Sequence, residues 1–139
     1  MNQFAPRLTI LATAAVFAAC SASADTKQAE VAVEQFHDLL DSGQSSAIYE
    51  SAGDDLKRVS PEQQFVPLLD AVHRKLGQTK TATRSGWNVN YSTSGNFITL
   101  NYQTVYAEGQ ASEQFVYRMM GSKPILVGYH VTSNALILK

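Results

Sequence analysis

The residues of this chain able to carry chemistry are three histidines, a few acids and bases, and a row of aromatic side chains. His37, His73 and His130 stand far apart, and none has metal-ligand spacing to an acid. A structural zinc site would show paired Cys or His, so no metal is expected, and no motif calls for a cofactor. His37 follows Phe36 and His73 follows Val72 in helical patterns, which reads as two helix-surface residues. Glu113 is the acid of most interest. It alternates with Phe115, Tyr117 and Met119, so a strand here puts a carboxylate on the same face as three apolar side chains. A buried carboxylate needs a partner, and Arg84 is the expected one, giving a buried Glu113–Arg84 ion pair. Burial can tune such an acid for proton transfer. Perturbed acids in clefts are often structural, however, and the structural pair is the favoured reading, with no residue assigned as catalytic. Asp54 and Asp55, followed by Lys57 and Arg58, read as a solvated loop.

No Gly-x-Ser-x-Gly elbow, phosphate loop or dinucleotide fingerprint occurs. No serine or threonine is set against a histidine and an acid, so nucleophilic catalysis is unsupported. Aromatic residues on a sheet under helices are usually core. Tyrosine hydroxyls need partners when buried, which places some of them at a pocket mouth or an interface. Trp87, Tyr102 and Tyr117 are the residues expected to bound a pocket for a small apolar ligand or peptide.

The N-terminus has its own chemistry, that of export. Arg7 and the amino group supply positive charge, residues 8–19 are apolar apart from two threonines, and small residues follow. A charged start, a short apolar run and a small-residue exit are the parts of a secretory signal. The run is shorter than the roughly 20 residues a helix needs to cross a bilayer. Val16-Phe17-Ala18-Ala19-Cys20 resembles the lipobox of bacterial lipoproteins, with Phe17 where Leu or Val is usual. The resemblance implies lipidation of Cys20 and a signal peptide of residues 1–19. Ala22-Ser23-Ala24 offers an alternative cleavage after residue 24. Cys20 is the single cysteine, so it has no internal disulfide to join. Ser21 resembles the second residue of lipoproteins passed to the outer membrane.

Residues 20–139 are then one α+β domain, long enough to bury a core without disulfides. Eleven Lys and Arg oppose twelve Asp and Glu, for a net charge of −1. The signs are mixed, which argues against a nucleic-acid partner.

Two periodicities divide the domain. Ala29, Ala32, Val33, Phe36, Leu39 and Leu40 form a helical stripe, with Asp25 or Thr26 as cap and Gly43 as stop. Residues 44–52 suggest a short second helix carrying Ile48. Ser60-Pro61-Glu62-Gln63 predicts a capped helix start, with Phe65, Leu68, Leu69, Val72 and Leu76 buried and Pro67 kinking the second turn. After Gly77 the period becomes two. Strands are expected over residues 79–91, 97–106, 111–120 and 125–133, separated by turn clusters, as an antiparallel meander with the helices on one face.

The order of these segments resembles a family of small bacterial exported proteins of unknown function. Their fold is a cystatin-like, nuclear-transport-factor-two-like cone. The segments are Phe36-His-Asp-Leu-Leu-Asp-Ser-Gly43, Ala47-Ile-Tyr-Glu-Ser-Ala52, Val72-His-Arg-Lys-Leu-Gly77 with Arg84 after it, Gly95-Asn-Phe-Ile-Thr-Leu-Asn-Tyr-Gln-Thr104, Ala111-Ser-Glu-Gln-Phe115 and Leu126-Val-Gly-Tyr129. The resemblance implies helices on a strongly curved sheet with a pocket between them, and it implies no activity, since such folds host enzymes and binding modules alike. The expected function is a non-enzymatic, lipid-anchored envelope protein on the periplasmic side that binds a partner protein or small ligand, with a homodimer through the sheet as one form. An enzyme with Glu113 as a cone-buried acid and a periplasmic immunity or inhibitor protein are the alternatives.

Overall fold

The structure is a computed structural model and describes residues 16–138. Most of the expected signal segment, residues 1–15, therefore lies outside the described residues. Four helices come first: α1 (Val16–Asp41), α2 (Ser45–Ser51), α3 (Asp54–Val59) and α4 (Glu62–Leu76). Then follow β1 (Thr79–Ser92), β2 (Gly95–Tyr106), β3 (Gly109–Met120), β4 (Lys123–Thr132) and a single closing turn of helix, α5 (Asn134–Leu138). The strands form one antiparallel sheet in the order β1-β2-β3-β4. The architecture is α+β.

α1 is already helical at Val16, upstream of its expected cap. Residues 16–41 contain neither Gly nor Pro, and alanine, the best helix former, recurs through the first turns. Thr26 does not cap. Its hydroxyl donates back to the Ala22 carbonyl at 2.8 Å, one turn earlier in the same helix. The helix buries Ala29, Val33, Phe36 and Leu40 against the sheet, and Gly43, at φ 70°, ends it.

α3 replaces the expected solvated loop. Its single buried apolar side chain, Leu56, anchors it, and Asp54 and Asp55 open it where the helix dipole favours negative charge. The backbone N–H of Gly53, just before it, donates to the Leu126 carbonyl at 2.8 Å, so the α2–α3 junction covers part of the β4 edge. α4 runs unbroken through Pro67, and its N-cap is Pro61, with no side-chain capping bond from Ser60. Leu68, expected in the buried stripe, is exposed, while Phe65, Leu69, Val72 and Leu76 are buried.

Alternation governs the central strands. Ile98, Leu100, Tyr102, Thr104 and Tyr106 of β2 face the helices, as do Ala111, Glu113, Phe115, Tyr117 and Met119 of β3. The opposite face is polar, with Gln103 bonded to Ser112 and Gln114 to Asn101. β1 is different. It pairs only with β2 and is mostly exposed on both faces, with Trp87 57% and Tyr91 48% accessible.

Candidate functional site

Glu113 lies at the centre of the core, and four side chains from three elements converge on it. Its Oε2 accepts from His37 Nε2 of α1 at 2.8 Å and from the Thr104 hydroxyl of β2 at 2.6 Å. Its Oε1 accepts from the hydroxyls of Tyr106 (β2) and Tyr129 (β4), each at 2.7 Å. Strand register explains three of these contacts. Glu113 stands directly opposite Tyr102 and Val131, while Thr104 and Tyr129 occupy diagonal positions on the same face. Tyr106 is one step further along β2, and its longer side chain spans the extra distance.

The α1 stripe supplies the fourth contact. His37 is four residues after Val33 and three before Leu40, both fully buried, so the helix aims its imidazole at the sheet. Phe36 beside it packs edge-on against Phe115 at 5.0 Å between ring centroids, and the His37 ring meets Phe115 at 5.7 Å. The expectation of a surface His37 is therefore corrected. It is a buried partner of Glu113, and its place on the stripe is the signal that marks it.

The expected Glu113–Arg84 pair does not form. Arg84 is opposite Tyr102 on β1, and Tyr102 is opposite Glu113, so a whole strand separates the two charges. At about 4.8 Å per strand that is about 10 Å, too far for contact. Arg84 instead pairs with Glu30 of α1, two turns before His37, at the partly exposed margin of the sheet.

Burial alone would raise the Glu113 carboxyl. Hydrogen bonds from His37, Thr104 and Tyr129, with the favourable field of the imidazole, outweigh it and hold the group below the usual carboxylate range. Tyr106 and Tyr129 move the other way, pushed up by burial and by the Glu113 carboxylate they donate to. With both oxygens doubly bonded and its side chain 0% exposed, Glu113 has no lone pair directed at solvent. Chemically the cluster is a satisfied ionic knot that ties α1 to β2, β3 and β4.

Trp87, Tyr102 and Tyr117 do not enclose a common pocket, because the buried stripe of α1 fills the inner face between them. Trp87 borders a groove of about 480 Å³ beside Ser23, Thr26, Lys27, Glu30 and Arg84. Tyr117 lines a separate cleft under α1 and α2, to which neither Trp87 nor Tyr102 contributes. His130 is exposed on β4, and His73 is half-buried on α4 with its Nδ1 unpartnered. Cys20 is exposed within α1. Among the described residues no three His, Cys, Asp or Glu side chains form a metal-binding group, and no helix is long and apolar enough to cross a membrane.

Comparison with curated proteins finds no match. A family model does match, over residues 32–129, a span that runs from the middle of α1 to Tyr129 and contains every member of the Glu113 cluster. The chain belongs to the family described as protein of unknown function (DUF4019).

Proposed function

We propose that this protein is a non-enzymatic, exported binding module of the bacterial envelope, held by a lipid on Cys20, that captures an extended segment of a partner protein along β1. In this proposal the fold is a cystatin-like cone. It is supported by one long helix laid across the inner face of a four-stranded meander.

The observation that carries the reading is the free edge of β1 over residues 86–92. Natural sheets blunt exposed edges with charge, bulges, proline or a covering element. The first half of β1 has such protection, with Lys80, Arg84 and register shifts between Thr79 and Thr81 and between Arg84 and Gly86. Residues 86–92 have none. They pair regularly with residues 95–101, contain no charge and no proline, and carry Trp87 and Tyr91 largely exposed. An uncharged, regular edge flanked by aromatics suits strand addition, in which main-chain bonds supply affinity and side-chain contacts supply selectivity. β4, the other edge, is partly covered by Gly53.

The non-enzymatic part is supported by the state of Glu113, whose acceptor positions are filled by the protein's own donors. The anchor is supported by the sequence around Cys20 and by the exposure of that residue. Intact mass of the protein from its native membranes tests the anchor. A diacylglyceryl-modified Cys20, with membrane association lost in Cys20→Ala, upholds it, and a chain beginning at Asp25 removes it. Cross-linking from β1 tests the edge contact.

A further inference from the structure

A cleft of about 220 Å³ opens between α1, α2 and the β3–β4 hairpin, with apolar walls from Phe36, Leu39, Ile48 and Leu126. A shallower depression continues along α1 past the hairpin turn, and the two share Ala32, Gln35, Lys123 and Pro124. Two polar side chains, a phenol and a lysine, contribute to its lining. Tyr117, 3% exposed, forms part of its lining, and its hydroxyl, which is not sealed from solvent, makes no hydrogen bond among the described residues. Burial pushes that hydroxyl up, so it stays a donor. Lys123 is the one charged residue in the lining of either depression, and among the described residues it has no acidic partner.

We propose that this cleft binds a short linear monocarboxylate, its chain between Phe36, Leu39, Ile48 and Leu126 and its carboxylate at Lys123. An apolar slot with a single cation at its rim and no carboxylate in its walls selects an anionic amphiphile over a neutral or cationic one. The volume sets the length. The deeper part, about 220 Å³, falls below the roughly 300 Å³ at the lower end of pockets for drug-sized ligands, which suits a short chain. The Tyr117 hydroxyl, in the same lining, is a donor open to a ligand oxygen. The site shares none of these residues with β1, so the proposal stands or falls independently of the edge-strand reading.

The test is titration of octanoate, octanol, octylamine and palmitate into the purified protein, followed by amide NMR shifts. Octanoate is expected to saturate with shifts clustered on the β3–β4 hairpin and the facing turns of α1. Octylamine should bind at least about tenfold more weakly, and palmitate no more tightly than octanoate. Lys123→Glu, a change at an exposed turn that leaves the fold intact, should weaken octanoate about tenfold while octanol changes less than about twofold. Tyr117→Phe should weaken octanoate with an unchanged far-ultraviolet spectrum. No saturation below about 10 mM, equal binding of octanoate and octylamine, or indifference to Lys123→Glu would each overturn the proposal.

Discussion

His37 and Glu113 are 76 residues apart in the chain and 2.8 Å apart in the fold. This contact pins α1 across the sheet at the point where β2 and β4 also reach the carboxylate. Removing the carboxylate orphans four donors at once in a site without solvent. Glu113→Ala is therefore expected to cost about 3–5 kcal/mol, the range for breaking a buried ionic contact from one side, and to leave much of the protein unfolded at 37 °C. Urea unfolding followed by circular dichroism measures it. A loss below about 1 kcal/mol would contradict the role given to the cluster.

Acid should reach the fold through the same residue. The folded Glu113 is held below its ordinary 4.5, so the unfolded chain takes up the proton more readily. Its stabilisation is fully present above that value and is lost as pH falls through the lower, folded value. Hydrogen bonding to His37 is the strongest influence opposing burial, so His37→Gln should move the loss to higher pH. Unfolding midpoints measured from about pH 6 to about pH 3 should fall more steeply for the natural chain than for Glu113→Gln.

Arg84 should behave quite differently. Its partner Glu30 and Arg84 itself are each about a third exposed, where ion pairs are screened and worth little. Arg84→Ala is expected to change stability by less than about 1 kcal/mol in the same urea experiment. A loss as large as that of Glu113→Ala would mean that Arg84 holds the core after all.

Gly53 offers a test of how the helices seal β4. A Cβ there would meet Ile125 Cγ2 at 3.0 Å and Val127 Cγ1 at 3.1 Å, both on stiff β-branched side chains. Gly53→Ala is expected to cost about 1–3 kcal/mol by overpacking, read as a lowered thermal midpoint. An unchanged midpoint would show that the α2–α3 junction yields freely.

The strands were legible because their period of two is local. The facing of Glu113, Phe115, Tyr117 and Met119 follows from alternation alone. Whole-fold information decided the rest. Arg84 looks like a partner for Glu113 until strand order places β2 between them. His37 is marked by the α1 stripe, four residues after Val33 and three before Leu40, but only the sheet shows what it meets. α3 has only Leu56 and the exposed Val59 beside four charges, too little for a periodic signal, and its position depends on the bond between Gly53 and Leu126, far apart in sequence. Trp87 misleads for a related reason. It alternates with Val89 and Tyr91 like a core residue, yet β1 is an edge strand that the helices leave partly uncovered.

The central claim, that residues 86–92 receive a partner strand, is tested most directly by photo-cross-linking in native envelopes from a probe at Asn88, which is exposed on that edge. The account predicts one discrete adduct with a second protein. Trp87→Ser should abolish the adduct while leaving the free energy of unfolding within about 0.5 kcal/mol of the natural chain. Failure to form an adduct, or an adduct joining two copies of this chain, would contradict it.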